Sequence, residues 1–520
     1  MIRDLLHDHP GPDIRFDICI VGAGAAGIVL AVELTRLGKR VVLLEGGGRE
    51  IEADSQDLYR SEVTPAHEHR GIHTGRFRAH GGTTRKWGGQ ILDLDDLDFQ
   101  SRDWISESGW PISKAELQPF YERALDLEGL AGVLREDAQV WRAIGMDPPA
   151  VPEFQPYFSR WCPEPDFSRL HREQLDGPAI TVWLHANVVE TEERDGRVDA
   201  VLCKTLSGAE ARFHADEFIF ALGTIESVRF FLQPRRDAHL PWNRSGLLGR
   251  HFQDHIDCNA ARVEVTDRKR FHALFDNVYS NGYKYHAKMR LLPDVQQRSK
   301  TLNVAATMYF VSDLNETLGH TKATAKKLLR GTFGSVNAQE VAVLLSNLPL
   351  LARQTYRYSV ARRAYNPRSA EVFLRVHCEQ EPTSRSSISL SGERDSLGML
   401  RPRLDWQISP KECDSIREFV VHAQGALAGI ASLHPDPDLM SGSPAFAARC
   451  DDSNHHMGGM RMAASPQQGV VDLHLRLHGT KNCYICSGAV FPTSGFSNPT
   501  HTVLALAARL AQHLARGARR

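Results

Sequence analysis

Two adjacent histidines, His455 and His456, and a later asparagine, Asn498, are the side chains of this 520-residue sequence best suited to moving a proton. A neutral imidazole can accept a proton near pH 7, whereas an amide forms hydrogen bonds without titrating. A histidine pair in a polar stretch is nevertheless more often exposed or structural than catalytic. Asn498 precedes Pro499 and an apolar helical repeat, so it also suits a helix N-cap. The residues alone leave capping and catalysis equally open for Asn498.

The sequence VGAGAAG at 21–27 is the second candidate site, because glycines at this spacing can hold a phosphate group. A short apolar run precedes it, leucines at helical spacing follow it, and a second apolar run ends in an acid. The first two glycines would admit a pyrophosphate, the third would pack the helix on the strand, and the acid would bind a ribose. The alternative is a glycine-rich turn followed by an acid by chance. The residues assigned to this dinucleotide site are Gly22, Gly24, Ala25, Ala26, Gly27 and Glu45.

Segments further along the chain contribute more strands to the predicted nucleotide-binding domain. Residues 180–189 and 216–222 read as strands, separated by a hairpin near 194–197, and a second strand-to-helix turn follows at Gly223. These strands belong with the glycine turn, so we expect a nucleotide-binding domain that is discontinuous in sequence. From His255 to about residue 440, shorter alternations such as 371–377 and 387–390 predict an antiparallel sheet on the substrate side.

Charge and cysteine content narrow the class of protein. With 62 basic and 63 acidic residues the net charge is -1, which predicts no nucleic-acid partner. Nine scattered cysteines favour a reducing compartment over a disulfide framework, and Cys483 and Cys486 lack a second ligand pair, so we expect core cysteines and no metal. The first 16 residues lack the apolar core of a secretory signal, and the apolar stretch 18–31 is too short to cross a membrane. We expect a soluble, cytoplasmic protein without a transmembrane segment.

Basic residues surround the apolar run VAVLLSNLPLL at 341–351 within a segment from Lys322 to Arg363. The pattern predicts helices broken at Pro349. Two interpretations stay open for this basic helical insertion, near 313–365. It forms a solvated helical pair over the substrate sheet, or an interfacial surface for a membrane or a partner.

With these motifs in place, the chain resembles the glucose-methanol-choline (GMC) oxidoreductase family over essentially its whole length. The matching motifs are VGAGAAG at 21–27 with Glu45, HGGTTRKWGG at 80–89, GWPISKAELQPFYERA at 109–124, LGRHFQDH at 248–255, NHHMGGMRM at 454–462, GVVD at 469–472 and SGAVFPTSGFSNPTHTVLALA at 487–507. The resemblance implies FAD as the cofactor and an alcohol as the substrate. It also implies His455 as the catalytic base, Asn498 as the second catalytic residue, and His456 as a neighbour in the substrate pocket.

The resemblance also places the flavin against the glycine-rich loop 80–89, whose backbone could approach a flat aromatic ligand closely. Relatives with a covalent flavin carry a histidine where this chain has Lys86, and His80 does not align with it. We therefore expect non-covalent FAD. Beyond the dinucleotide turn, the residues expected to bind FAD are Gly82, Thr83, Trp87, Gly88, Gly89, Val188, Ala221, Gly488, Asn498, Pro499 and Thr500.

The predicted fold is α/β, with a Rossmann-type FAD-binding domain and a mainly antiparallel sheet-plus-helices substrate domain, the GMC or p-hydroxybenzoate hydroxylase-like architecture. The first domain is expected to comprise 14–90, 175–255 and 450–516, and the second 91–174 and 256–449.

The function implied by the resemblance is FAD-dependent oxidation of an alcohol, preferably a sugar or glycoside hydroxyl. Oxygen, a quinone or a protein carrier would then accept the electrons. The alternatives are oxidation of an aliphatic or aromatic alcohol, a non-redox lyase of the same fold, and a flavoprotein subunit without turnover of its own.

Overall fold

A computed structural model describes residues 1–11, 14–65, 67–234, 241–312 and 346–517. Within these residues the strands form three sheets, of eight, nine and three strands. The first two sheets bring the candidate residues together. The α/β fold predicted from the sequence, with one sheet built around the glycine turn and a separate antiparallel sheet, is confirmed.

The first sheet is built on the strand Arg15–Val21, which lies parallel to Val41–Leu44 on one side and to Glu210–Phe220 on the other. The inner ends of these strands are buried on both faces, as expected for a parallel sheet covered by helices. The helix Ala25–Arg36 follows the glycine turn directly. In spatial order the sheet contains Ile2–Asp4, Ile180–Leu184, Val41–Leu44, Arg15–Val21, Glu210–Phe220, Arg197–Lys204 and Asn187–Arg194, with Cys483–Ile485 also paired to Glu210–Phe220.

Two features of the first sheet differ from the sequence prediction. The single strand expected at 180–189 is two strands, because His185 between them has a left-handed backbone with φ of 54°. A strand at Ile2–Asp4, which the sequence did not suggest, pairs in parallel with Ile180–Leu184. His185 also joins the two, since its Nδ1 lies 2.8 Å from Asp4 Oδ1.

The second sheet is antiparallel throughout, as predicted for the substrate side. Its main strands, in spatial order, are Ala431–Pro435, Ile256–Val265, Glu371–Cys378, Val304–Val311, Tyr283–Leu291, Phe154–Trp161 and Gln90–Ile91, with Val278–Ser280 and Asp451–Asp452 paired at the side. Along Tyr283–Leu291, apolar residues alternate with Lys284, His286, Lys288 and Arg290. These polar side chains therefore share one face of the sheet.

The third sheet is small and corrects one prediction. The strand expected at 387–390 is present as Ser387–Arg394, but it pairs with Leu400–Asp405 and not with the second sheet. Glu62–Val63 completes this sheet in parallel with Leu400–Asp405.

The C-terminal helix Pro499–Gly517 packs on both Ala25–Arg36 and Lys114–Leu127. Tyr121 Oη lies 2.9 Å from Thr502 Oγ1 across this contact. The limits of the two domains stay a prediction. The remaining α-helices are Ala53–Asp57, Gly71–Thr74, Asp96–Phe99, Asp137–Ala143, Phe167–Leu170, Arg172–Asp176, Gly223–Leu232, Arg268–Phe275, Pro293–Ser299, Leu348–Ser359, Pro410–Ala426, Pro437–Ser441 and Pro444–Ala447.

Most of the predicted basic insertion, 313–345, lies outside the described residues. The part that is described forms the helix Leu348–Ser359, with Pro349 in its first turn. Proline fits the first turn of a helix, where no intrahelical partner is needed for its nitrogen. The expected break between two helices at Pro349 stays a prediction, because residues 313–345 lie outside the described part. None of the described helices has the length and apolar character to cross a membrane.

Candidate active site

One cavity opens beside the glycine turn and reaches the C-terminal block of the chain. It brings together segments that lie hundreds of residues apart in sequence. Thirteen of the residues expected to bind FAD line it, namely Gly22, Gly24, Ala25, Ala26, Glu45, Gly82, Thr83, Trp87, Val188, Ala221, Gly488, Pro499 and Thr500. Gly27, Gly88, Gly89 and Asn498 do not line it.

The three glycines of the turn have different roles. A Cβ atom added to Gly24 would meet no other atom within 4 Å, so this position faces open space in the cavity. A Cβ atom on Gly27 would lie 1.8 Å from the carbonyl oxygen of Gly22, so Gly27 is needed to pack the helix on the turn. Gly22 has a φ of 103°, which favours glycine. The turn thus leaves room for a phosphate at Gly24 and is closed by packing at Gly27.

Glu45 lines the cavity with a carboxylate that is already held in place. Its Oε2 accepts a hydrogen bond from the amide of Ala23, and its Oε1 accepts one from the amide of Gly47, both at 2.9 Å. Burial raises the pKa of this carboxyl group, although Arg78 and the backbone amides oppose the shift. The carboxylate is thereby fixed directly after the strand Val41–Leu44, where an acid that binds a ribose is expected.

The glycine-rich loop lies on the cavity only in part. Gly82, Thr83 and Trp87 line the cavity, and Trp87 Nε1 donates to the carbonyl of Pro165 at 2.7 Å. Gly88 and Gly89 pack on protein instead. Added Cβ atoms would lie 3.1 Å from the Trp161 ring and 3.1 Å from Pro165. Their lack of side chains thus serves packing within the protein.

Several residues that line the cavity were not anticipated. They include Tyr59, Arg76, Arg78, Asn187, Thr224, Glu226 and Arg229. Glu226 accepts from Arg76 at 2.9 Å and from Arg229 at 3.0 Å, and all three side chains are buried. The only signal in the sequence was the RFR triplet at 76–78, directly before the loop that had been assigned to the flavin.

The side chains of His455 and Asn498 are in contact at the N-terminus of the C-terminal helix Pro499–Gly517. Asn498 Nδ2 lies 2.9 Å from His455 Nε2, while Asn498 Oδ1 accepts from Gln90 Nε2 at 3.3 Å. On the other side of the ring, His455 Nδ1 lies 2.9 Å from Nδ1 of His255. His255 ends the motif LGRHFQDH, and the sequence analysis predicts no role for it.

With the amide nitrogen of Asn498 facing the ring, one tautomer of His455 satisfies both contacts. An amide nitrogen can only donate, so His455 Nε2 accepts and carries no hydrogen. Its proton then lies on Nδ1 and is donated to His255 Nδ1. A neutral ring with a free lone pair at Nε2 is the form that a general base requires.

Burial keeps this imidazole neutral. It lowers the pKa of His455 well below its usual value, and the charges of His255, His377 and Lys288 lower it further. Burial also lowers the pKa of His255 to about 4, with the carbonyls of Gly495 and Ser494 opposing. The pKa of His377 is likewise well below normal through burial. The cluster is thus neutral near pH 7.

His456 points away from this cluster. Its side chain lines the cavity at the glycine turn, with its ring 5.2 Å from that of His69. Its backbone oxygen accepts from Thr224 Oγ1 at 2.6 Å. The residue expected in the substrate pocket therefore lies on the cavity expected to hold the cofactor.

The carboxylate of Asp254 binds the backbone at both His255 and His455. Its Oδ1 accepts from the amides of His255 at 2.7 Å and of His455 at 2.9 Å, and its Oδ2 lies 3.1 Å from His69 Nε2. The side chain is completely buried. Asp254 therefore fixes the backbone positions of the two hydrogen-bonded imidazoles.

The polar face of the second sheet continues the site beyond Asn498. Gln90 Oε1 lies 3.4 Å from His286 Nδ1, and His286 Nε2 lies 2.8 Å from Thr307 Oγ1. His377 lies on the neighbouring strand, with its ring 6.1 Å from that of His455. The alternation of YKYHAKMRL at 283–291 is the signal that could have located this face from sequence.

The ring nitrogens of His255, His377 and His455 lie within 4.8 Å of one another, which is close enough to hold a metal ion. Lys288 lowers the pKa of each of these imidazoles, so its charge lies near the same point. A metal cation there would be repelled by that charge. We keep the sequence prediction that this site works without a metal.

The two residues considered for covalent attachment lie off the cavity. Lys86 is exposed, and His80 is buried with its backbone amide donated to Gly48. Burial lowers the pKa of His80 to about 4. Neither residue lines the cavity.

Comparison with known proteins supports the interpretation of both halves of the site. The family model described as FAD binding domain matches residues 15–229, and the model described as GMC oxidoreductase matches 382–507. The 6'''-hydroxyparomomycin C oxidase of Streptomyces lividus is 24% identical over 97% of this chain and 93% of its own length. The fructose dehydrogenase large subunit of Gluconobacter japonicus is 21% identical over 95% and 97%.

A solved structure with a similar fold is pyridoxine 4-oxidase from Mesorbium loti. It superposes with a TM-score of 0.57 at 17% identity, over 96% of this chain and 98% of that one. At this identity the likeness establishes the fold. The FAD-binding model covers the glycine turn and the strands beside it, and the GMC oxidoreductase model covers His455 and Asn498.

Proposed function

The chain belongs to the GMC oxidoreductase family, and from this premise we propose that it is an FAD-dependent enzyme that oxidises a sugar or glycoside hydroxyl. The observation that carries the proposal is the contact of His455 with Asn498. It presents a proton acceptor and a fixed hydrogen-bond donor at the point where the second sheet meets the C-terminal helix.

The residues of the cavity fit FAD. The open position at Gly24 faces the N-terminus of the helix Ala25–Arg36, whose amides suit a pyrophosphate, and Glu45 suits the ribose. Gly488, Pro499 and Thr500 also line the cavity, and Pro499 directly follows Asn498, whose amide contacts His455. When bound, FAD supplies a hydride acceptor for the carbon that carries the hydroxyl group.

The chain's own residues then handle the proton. The substrate hydroxyl donates to His455 Nε2 and accepts from Asn498 Nδ2, so both hold the same oxygen atom. As the hydroxyl loses its proton, His455 becomes doubly protonated. Its Nδ1 stays bonded to His255, which keeps the ring in place.

The preference for a sugar or glycoside is supported by the polar face of the second sheet. Gln90, His286 and Thr307 offer a connected set of hydrogen-bonding groups next to Asn498. Binding a polyhydroxylated ring requires such groups, whereas an apolar alcohol would leave them unpaired. The two relatives named for hydroxyparomomycin and fructose agree with this choice.

Three finer points belong to the same proposal. FAD is bound without a covalent bond, since Lys86 and His80 do not reach the cavity. Oxygen, a quinone or a protein carrier accepts the electrons. The protein works in the cytoplasm, in keeping with its nine cysteines, all of which lie in the described residues and form no disulfide bond there.

Anaerobic addition of a panel of sugars, glycosides and simple alcohols to the purified yellow protein tests the proposal. We expect bleaching of the flavin absorbance by one or more sugars without any added partner. Bleaching by aliphatic or aromatic alcohols alone would overturn the substrate class. Absence of bleaching by every member of the panel, with turnover of a hydroxynitrile, would favour the lyase.

A further inference from the structure

Lys288 stands out on the polar face of the second sheet as a cation without a partner. Its side chain is buried, with 6% of the residue exposed. Among the described residues, Lys288 has neither a hydrogen bond nor a carboxylate within 4.0 Å of its ammonium group. Charged groups that are buried in proteins are normally paired, so an unpaired one indicates a missing counter-charge.

The other charged side chains on this face have partners. Arg375 binds Asp257 through two bonds of 2.7 Å, and Arg290 forms an ion pair with Asp95. Asp257 is already paired with Arg375, so its negative charge is compensated there and it forms no ion pair with Lys288. Lys284 lies further along the strand with its ammonium 3.6 Å from the centroid of the Trp161 ring, a cation–π contact.

Lys288 lies on the same sheet face as the residues that lead to the candidate catalytic base. Arg290, two residues further along its strand, is in register through Ala305 with His377, whose ring is 6.1 Å from that of His455. The charge of Lys288 lowers the pKa of His255, His286, His377 and His455, so it lies within electrostatic reach of all four rings. Burial lowers the pKa of Lys288 itself to about 8, and Asp257 opposes this shift. At neutral pH Lys288 therefore carries its charge on the polar sheet face that continues to His377 and His455.

We propose that the substrate carries a carboxylate, and that Lys288 binds this carboxylate while His455 and Asn498 hold the hydroxyl to be oxidised. The inference rests on the proposed oxidation of an alcohol and narrows it to an acidic sugar or an acidic glycoside. A single unpaired ammonium matches the single charge of a carboxylate. A phosphate dianion would leave a net negative charge among neutral rings.

The proposal also explains how the base can work so near a fixed positive charge. Accepting the hydroxyl proton makes His455 cationic, and Lys288 opposes that change. A substrate carboxylate seated on Lys288 cancels this repulsion only when the substrate is bound. The free enzyme keeps His455 neutral, and the complex allows it to be protonated.

Binding of acetate to the oxidised holoenzyme tests the site without any turnover. Acetate has a carboxylate and no hydroxyl group, so its binding, followed as a change in the flavin absorbance or in the melting temperature, is independent of the oxidation. We expect Lys288→Met to weaken acetate binding at least tenfold and Lys288→Arg to retain it within a few-fold. The matched control is Lys284→Met, which removes the same charge about 13 Å further along the strand and should change binding less than threefold.

Sugar pairs then test the substrate class. Glucose with glucuronate, galactose with galacturonate, and glucose 6-phosphate are compared by the rate of anaerobic flavin reduction. We expect the acid of at least one pair to react faster than its neutral partner by tenfold or more, and this preference to disappear in Lys288→Met and Lys288→Gln.

Equal acetate affinity in wild type and Lys288→Met, with FAD content and melting temperature preserved, would overturn the proposal. So would preference for the neutral sugar or for the phosphate. If acetate binds through Lys288 but no alcohol reduces the flavin, the anion site stands and the proposed oxidation fails. If Lys288→Met does not fold, Lys288→Arg and Lys288→Gln decide the matter by the same comparison.

Discussion

His455 Nε2 and Asn498 Nδ2 lie 2.9 Å apart, so in the absence of substrate the amide of one residue occupies the lone pair that the other needs for catalysis. A hydroxyl oxygen placed between them can donate to the imidazole and accept from the amide at once. The pair is therefore arranged to exchange one internal hydrogen bond for two bonds to the substrate.

This arrangement predicts unequal effects for the two residues. His455→Ala should slow anaerobic flavin reduction by ~10²–10⁴-fold, the usual contribution of a general base, while FAD stays bound. Asn498→Ala removes one neutral hydrogen bond and should cost about 2- to 10-fold. His456→Ala is the matched control and should be milder than His455→Ala, because its side chain lies away from the cluster. Single-turnover reduction of the three variants measures these rates. A large loss of rate in His456→Ala together with a wild-type rate in His455→Ala would show that His455 is not the base.

The glycine turn predicts a second, separable effect. Gly24→Val adds a side chain where the protein has open space, so the fold should form while the cavity no longer admits the pyrophosphate. We expect a colourless protein whose melting temperature is lower, because the stabilisation by bound FAD is lost. Gly425→Ala is the control, since an added Cβ atom there also meets nothing within 4 Å but lies in the helix Pro410–Ala426. A yellow Gly24→Val protein with full flavin occupancy would contradict the placement of the phosphate.

Non-covalent attachment makes a simple prediction about denaturation. Acid precipitation of the yellow holoenzyme should release FAD to the supernatant and leave a white pellet. The reason is that neither Lys86 nor His80 lines the cavity. A yellow pellet, or a tryptic peptide with the added mass of a flavin, would reveal an attachment residue elsewhere in the chain.

The nucleotide-binding half was readable from sequence because its signals are local. VGAGAAG, the flanking apolar runs and Glu45 lie within 30 residues, and each conclusion drawn from them depends on backbone geometry of the turn itself. The sequence predicts a single strand at 180–189, whereas the structure has two, because the positive φ at His185 leaves no mark in an apolar pattern. Gly88 and Gly89 were assigned to the flavin because a glycine does not show whether its close neighbour is a ligand or another part of the protein.

The substrate half was less readable because its contacts are long-range. His255, His286 and His377 reach His455 or Asn498 only through the pairing of strands far apart in sequence. The direction in which His456 points also depends on packing, since adjacent residues can face opposite sides of the chain. The alternation at 283–291 can therefore indicate that this strand has a polar face. It cannot show which residues that face contacts.

The cluster around His455 leads to the last prediction, which concerns pH. The base must be neutral before reaction, and burial together with His255, His377 and Lys288 lowers the pKa of His455 well below 6.5. The second-order rate constant of flavin reduction, measured at low substrate concentration, reports the free enzyme. It should therefore show no loss from protonation of His455 as the pH falls from 8 through 6.5, and should decline only in more acidic solution. An ordinary histidine would already have lost half of the neutral form at pH 6.5.

Replacing one of the neighbouring imidazoles, which repels a second proton once it is itself protonated in acid, should move the acidic decline in rate in a known direction. His377→Gln removes a group that lowers the pKa of His455, so that pKa should rise and the decline in rate should begin at higher pH. The shift should be modest, because burial is the larger cause and remains. His377 is a suitable choice because its ring lies 6.1 Å from that of His455 and the direct contacts to His255 and Asn498 are kept. His7→Gln, an exposed histidine near the N-terminus, is the control and should leave the profile unchanged. An acid limb that moves to lower pH in His377→Gln, or one already centred near 6.5 in the wild-type enzyme, would show that His455 is not held neutral by this cluster.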